Sequence, residues 1–200
     1  TDIDLVGAAQ IRLCLSANRP AAQIAVRLCD VFPDGTSAQI AHGMLNLQHR
    51  NSHETPEAIV PNEQFDVSFA LDDCGYRVPK GHRLRIAVQT NYWPFLWPAP
   101  ELATVTIHAG SIQLPTRPLA SGDEWKFEPP ETSAPWKTES HRPSKCTRAR
   151  EIDLETGDSV MRITNGGGHV TGLDHGLSTS SITQEEWRIN RENPLTARAD

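Results

Sequence analysis

Short runs in which apolar and polar residues alternate dominate this chain. In Gln23-Ile24-Ala25-Val26-Arg27-Leu28 the residues Ile24, Val26 and Leu28 fall on one side of an extended strand. Phe65, Val67, Phe69 and Leu71 do the same, as do Leu84, Ile86 and Val88, and then Val105 and Ile107. Successive side chains of a strand point to opposite faces, so each run predicts one dry and one wet face. Half-wet strands belong to antiparallel sheets, because parallel sheets are covered on both sides. No convincing amphipathic helix exceeds two turns, and Thr183 to Trp187 is the one stretch that reads as a short helix.

Turn chemistry separates the runs. Pro33-Asp34-Gly35-Thr36 predicts the tip of a hairpin over residues 21 to 46. Asp72-Asp73-Cys74-Gly75 and Pro79-Lys80-Gly81 are expected to bound the next strands. Glu155-Thr156-Gly157-Asp158 predicts a second hairpin tip, joining a strand near 148–154 to one near 158–164. Gly166-Gly167-Gly168 reads as a flexible hairpin turn; it lacks the Lys-Ser/Thr and the helix that a phosphate loop needs. Many short strands with Gly and Pro turns predict a β-sandwich or jelly roll.

The stretch from Pro115 to Cys146 breaks this rhythm. It holds six of the 15 prolines, a linker composition, but also Trp125, Phe127 and Trp136. Three rings have no use on a free linker, so the stretch is expected to be extended and strapped onto a surface. Strand-like patterning resumes over 147–200. Leu195 to Asp200 reads as a strand under way and the chain begins with Thr1 rather than Met, so a piece of a longer protein is expected.

Composition narrows the function classes. The chain has 200 residues, is 38% hydrophobic and carries a formal charge of -6, from 19 Lys and Arg against 25 Asp and Glu. A hydrophobic fraction of this size supports a packed core. An acidic balance argues against a general nucleic-acid coat. No run of 18 apolar residues predicts a membrane helix, and no charged-then-apolar leader opens the chain. Cys14, Cys29, Cys74 and Cys146 form no Cys-x-x-Cys pair, and are expected to be reduced, mostly buried thiols of a cytoplasmic protein.

Candidate chemistry is sparse. A serine hydrolase of α/β fold needs a Gly-x-Ser-x-Gly elbow to hold its serine clear of the sheet. Gly176-Leu177-Ser178-Thr179-Ser180 starts like one and fails at the last position. His49, His53 and Glu54 form one histidine cluster, and His169, Asp174 and His175 a second. Neither has strong metal-ligand spacing, because His-x-x-x-His shares a face only on a helix. Surface or hydrogen-bonding histidines are the expected reading, with no catalytic residue, metal or cofactor assigned.

Tyr92-Trp93-Pro94-Phe95-Leu96-Trp97-Pro98 is the most unusual segment, with four of the chain's 12 aromatic residues in six positions. Rings interleaved with prolines cannot all enter one sheet face. They suit a rigid loop that caps its own sandwich, meets a neighbouring domain, or forms a platform for sugars.

Ordered blocks in the chain carry a resemblance. Val26 to Ser37, Gly43 to Arg50, Phe69-Ala70-Leu71-Asp72-Asp73, Pro79 to Val88 and Tyr92 to Pro98 together resemble the C-terminal domain of the cocaine-esterase/X-Pro dipeptidyl-peptidase family of serine hydrolases, over about residues 9 to 115. Glu151 to Gly157 and Asn193 to Ala199 resemble the β-rich tail of longer members. The resemblance implies a jelly-roll β-sandwich of galactose-binding-like shape, packed on an α/β-hydrolase domain that carries the catalytic Ser, Asp and His. Members cleave esters, or bonds after an Xaa-Pro pair, and no residue here matches a triad position.

The combined expectation is an all-β chain: a jelly-roll domain over 1–115, a Pro-rich strap over 116–146 and further strands over 147–200. The chain itself is expected to be inactive and to buttress the hydrolase domain of its parent, shaping substrate access. Tyr92, Trp93, Phe95 and Trp97 are the expected contacts to that domain. A carbohydrate-binding module is the alternative. Neither nucleic acid nor membrane is an expected partner. An uncovered apolar patch or strand edge is expected to favour a homodimer.

Overall fold

A computed structural model describes residues 1–200 apart from Leu119, Ser121, Glu124 and Trp125. The chain divides into two compact units, Thr1–Glu124 and Trp125–Asp200. Every strand pairing in both is antiparallel, and the chain is all-β. Among the described residues no helix is long and apolar enough to cross a membrane.

The first unit is a sandwich of two three-stranded sheets. The strands β1 (Ile3–Ala17), β4 (Phe65–Val78) and β6 (Val105–Gln113) form one sheet in the order β4-β1-β6. The strands β2 (Gln23–Val31), β3 (Ser37–Asn46) and β5 (Arg83–Gln89) form the other in the order β3-β2-β5. The alternation predicted from sequence supplies the core between them. Ile24, Val26 and Leu28 from β2 meet Leu5, Ile11 and Leu15 from β1, with Val67 and Leu71 from β4. Leu84 and Val88 pack against this cluster, but Ile86, predicted on the same face, is 38% exposed. Ile107 lies on the edge strand β6 and stays 47% exposed, unlike Val105, which packs on the core.

The hairpin predicted over 21 to 46 is present as β2 and β3, in register from Gln23 opposite Asn46 to Val31 opposite Ser37. Asp72-Asp73-Cys74-Gly75 is not a strand boundary. These residues lie inside β4, because β1 runs alongside as far as Ile3, opposite Val78. The two aspartates sit where the register slips between Ala8 and Gln10, a bulge that accommodates polar residues without ending the ladder.

One arginine organises the connection from β3 to β4. A short 3₁₀ turn, Leu47–His49, is capped by the Asn46 side chain, which accepts from the Gln48 N–H at 3.1 Å. Arg50 then donates to the carbonyls of Leu47 at 3.1 Å and Glu57 at 2.8 Å, and its guanidinium lies 5.3 Å from the centre of the Phe65 ring. This holds the loop so that Ile59 is 2% exposed against the core.

The second unit contains β7 (Thr138–Arg142), β8 (Lys145–Ile152), β9 (Asp158–Gly172), β10 (Ser178–Asn190) and β11 (Arg198–Ala199). The sheet order is β11-β10-β9-β7, with β8 also paired to β9. The second predicted hairpin tip is present between β8 and β9, where the Gly157 N–H donates to the Asp153 carbonyl at 2.8 Å. Three other expectations fail here. Thr183 to Trp187 is not a helix but part of β10, each residue paired with β9. Gly166-Gly167-Gly168 is not a turn but the middle of β9. A Cβ at Gly167 would run into the Ser181 hydroxyl, and one at Gly168 would stand 2.8 Å from the Arg142 carbonyl. Glycine is required at 168, where φ is +81° and the backbone of 142–144 closes in, whereas the Ser181 hydroxyl beside Gly167 can rotate away. The chain end is a 3₁₀ turn, Pro194–Thr196, followed by only two strand residues.

Of the cysteines only Cys29 is buried; Cys14 and Cys74 are half-buried and Cys146 is exposed, which corrects the expectation of mostly buried thiols. Phe127 and Trp136 are 80% and 77% exposed, with the Trp136 ring edge-on to His175 at 5.5 Å. Trp125, the third ring of that stretch, lies outside the described residues.

Candidate interface loop

The segment between β5 and β6 carries the four aromatic residues singled out from sequence. Its foot is tied down locally. The Asn91 carboxamide oxygen accepts from the Trp93 N–H at 2.9 Å, and the Leu96 N–H donates to the Tyr92 carbonyl at 2.9 Å. Asn is suited to the first contact because its short side chain reaches the backbone two residues on. The Trp93–Pro94 peptide is cis.

Tyr92 anchors the loop to the sheet β3-β2-β5. Its hydroxyl donates to Gln39 Oε1 at 3.0 Å. The Arg27 guanidinium lies 5.6 Å from the centre of its ring, a cation over a π face. Arg27 also donates to Gln89 Oε1 at 3.3 Å, so one side chain of β2 touches the end of β5 and the first ring of the loop. The His42 ring stands 6.0 Å from Tyr92 and its Nδ1 lies 2.9 Å from Asp72 Oδ2.

On this foot the rings pair off. Tyr92 and Phe95 stack at 5.6 Å with 28° between planes, while Trp93 and Trp97 meet edge-on at 4.9 Å and 68°. Tyr92 and Trp93 are half-buried, whereas Phe95 is 72% exposed and Trp97 52%. The four residues therefore form two layers, an inner pair that fixes the loop and an outer pair presented to solvent. Sequence reasoning found the rings but missed Arg27, Gln39 and Gln89, which stand on separate strands with no shared motif.

The parts of a hydrolytic relay occur elsewhere in the chain, but among the described residues they are not brought together. Ser16 Oγ lies 2.9 Å from His108 Nε2, and Ser178 Oγ lies 2.7 Å from His169 Nε2. Among the described residues neither of these rings is bonded to a carboxylate. Among the described residues the one fully buried carboxylate, Asp30, is bonded to His82 Nδ1 and to the Tyr76 hydroxyl, each at 2.9 Å, with no serine in the set. A nucleophile, a base and a group that orients the base must adjoin one another for acyl transfer.

Neither histidine cluster gathers metal ligands. The rings of His49 and His53 lie 5.5 Å apart. His169 does not meet His175 but His141, at 4.7 Å, while His175 Nδ1 accepts from the Leu177 N–H. Among the described residues no group of three His, Cys, Asp or Glu side chains is placed to hold a metal ion.

Residues 1–145 match the family model described as the X-Pro dipeptidyl-peptidase C-terminal non-catalytic domain. An Xaa-Pro dipeptidyl-peptidase of Streptococcus gordonii is 39% identical over 59 residues, 30% of this chain and 8% of that enzyme. A cocaine esterase of a Rhodococcus species is 24% identical over 92 residues, 46% of this chain and 16% of the esterase. The chain thus spans a small part of the length of these relatives. Among solved structures, an α-amino acid ester hydrolase shares the fold with a TM-score of 0.55 and 21% identity, over 58% of this chain and 24% of the hydrolase. Matched along 145 of its 200 residues, the chain belongs to the family of X-Pro dipeptidyl-peptidase C-terminal non-catalytic domains.

Proposed function

We propose that this chain is the non-catalytic portion of a cytoplasmic serine hydrolase, and that it packs onto the catalytic domain through the 92–97 loop. The parent would cleave esters or bonds following an Xaa-Pro pair, with Ser attack, His as base and Asp orienting the ring on a preceding α/β-hydrolase domain. The sandwich would buttress that domain and border the substrate entrance. The observation that carries this reading is the layered loop. Phe95 and Trp97 stand in solvent on a foot fixed by Tyr92, Arg27 and Gln39. Large rings on a pre-organised support make strong interface anchors, because little conformational entropy is lost when they are covered. The four free thiols support a reducing compartment.

The test uses the parent enzyme and this chain side by side. The chain alone should hydrolyse neither an aryl ester nor an Xaa-Pro anilide above the buffer rate. In the parent, Phe95→Ala with Trp97→Ala should lower the melting temperature by about 4 °C or more, as expected for losing a few kcal/mol of interface. An unchanged melting temperature and unchanged KM would remove the docking role. Glycan binding by the chain that vanishes with Trp97→Ala would favour a carbohydrate platform instead.

A further inference from the structure

The sandwich of the first unit is closed along one side and open along the other. On the closed side β3 and β4 run against each other, with a Cβ at Gly43 falling 3.0 Å from the Ala70 carbonyl oxygen and His42 Nδ1 lying 2.9 Å from Asp72 Oδ2. The central strands are β1 and β2, so β5 and β6 bound the opposite side. Each pairs with one neighbour, β5 with β2 and β6 with β1. Among the described residues the backbone of Arg83–Gln89 makes no backbone–backbone hydrogen bond outside that ladder. One edge of β5 is thus a row of unpaired N–H and C=O groups. The inner face shows the same gap. Residues directly paired in a ladder point to the same face. Ile86 is paired with Leu28 and Ile107 with Leu15, and both leucines are fully buried. Ile86 and Ile107 therefore point inward, yet they are 38% and 47% exposed. Inward residues of a closed sandwich are covered by the facing sheet, so the apolar interior opens between β5 and β6. The outer face of β5 carries Arg83 and Arg85, both exposed, and among the described residues neither is paired with a carboxylate.

We propose that an extended acidic segment of the parent polypeptide, from outside these 200 residues, adds to β5 as a further strand and closes the sandwich. The proposal rests on the reading above that a longer parent exists; the chain spans a small part of its relatives' length, which leaves ample polypeptide to supply the strand. Alternation fixes the chemistry of the segment. Its residues opposite Leu84, Ile86 and Val88 face inward, so they are apolar and cover Ile86 and Ile107 together. Its residues opposite Arg83 and Arg85 face outward, so they are carboxylates that pair the two free guanidinium groups. The other open edge lacks this complement. On β6 the neighbours of Ile107 are Thr106 and His108, and His108 Nε2 already lies 2.9 Å from Ser16 Oγ. Strand addition draws affinity from main-chain bonds and specificity from alternate side chains. A segment of the same polypeptide has the advantage of a high effective concentration over a free one.

The probe is a capped peptide of about eight residues alternating glutamate and valine, long enough to span β5. Titrated into the 200-residue chain and followed by calorimetry, it should bind, and a lysine–valine peptide should bind about tenfold more weakly or worse. Arg83→Glu with Arg85→Glu should reverse that preference, which a damaged fold would not do. Should this double variant fail to fold, Arg83→Gln with Arg85→Gln should abolish the preference. In the parent, those β5 amides that point away from β2 should exchange about tenfold more slowly than in the chain alone, because the segment already covers them. A wild-type chain that binds neither peptide at concentrations on the order of 1 mM, or both equally, overturns the proposal. So does a folded double variant that keeps its preference for glutamate, or a parent in which β5 exchanges as fast as in the isolated chain. The docking role of the aromatic loop fails separately. An unchanged melting temperature of the parent with Phe95→Ala and Trp97→Ala, beside slowed β5 exchange, removes the loop contact and keeps the added strand.

Discussion

Asp30 and Tyr76 join the two sheets of the sandwich through a single hydrogen bond. The Tyr76 hydroxyl on β4 donates to Asp30 Oδ2 on β2 at 2.9 Å, and Asp30 has no exposed surface. His82, in the turn leading into β5, reaches the same carboxylate at 2.9 Å and lays its ring 4.6 Å from Phe32. Burial, followed by the bond to Asp30 and its charge, raises the Tyr76 phenol above its ordinary pKa. A buried carboxylate is tolerated because each partner replaces water that it has lost.

Removing that donor should therefore be costly. Tyr76→Phe is expected to destabilise the sandwich by about 1.5–3 kcal/mol, the range for a hydrogen bond to a charged group. Asp30→Ala, which strands both partners, should cost about 3–5 kcal/mol. Urea unfolding followed by tryptophan fluorescence checks both, and a Tyr76→Phe variant as stable as the wild type would show that the tie contributes nothing.

Gly43 of β3 lies close against β4. A Cβ there would stand 2.9 Å from Leu71 Cδ2 and 3.0 Å from the Ala70 carbonyl oxygen. The leucine tip can move, but the backbone oxygen cannot. Gly43→Ala should lower stability by about 1–3 kcal/mol, the usual cost of overpacking, as read from the shift of the denaturation midpoint.

Tyr92 supports the exposed ring of Phe95 from the inner side of the loop. Tyr92→Ala removes the stack on Phe95, the bond to Gln39 and the ring under Arg27. Amide exchange over 91–97 should accelerate while β2 keeps its protection. Tyr92→Phe retains the ring, so the loop should keep most of its order, and exchange as fast as in the alanine variant would contradict the stacking argument.

Glu186 makes the second sheet sensitive to acid. Bonds from Arg188 and then Arg162 hold its carboxyl below the ordinary value. A pKa depressed in the folded state gives stability that is complete above the unfolded value of about 4.3 and is lost as pH falls through the folded value. The sheet should therefore melt at lower temperature below about pH 4. Glu186→Gln should flatten that dependence, and an acid profile unaltered by this change would assign the loss to other groups.

Much of the first unit was legible because its strands follow a period of two. Ile24, Val26 and Leu28 announce their face without any knowledge of neighbours. The Pro33–Thr36 turn brings β2 to β3 through local chemistry alone. The long strand β1 escaped notice, although Ile11, Leu13 and Leu15 alternate. It is central, pairs on both sides, and changes register at each partner, so its pattern is interrupted by bulges. Asp72 and Asp73 looked like a turn for a related reason: polar residues at a bulge resemble polar residues at a strand end.

What the sequence determined by itself was the periodicity, the hairpin tips and the crowding of rings between Tyr92 and Trp97, since these depend on residues close along the chain. Only the tertiary structure decided which rings form the foot and which stand in solvent, that Arg27 of β2 supports Tyr92, and that Asp30 finds Tyr76 across the core. It also turned three glycines from a loop into the middle of β9 and set Glu186 beside Arg162 and Arg188. Those outcomes depend on strand partners and register. Both are set by side chains far apart along the chain, and a one-residue slip in either would send every side chain to the other face.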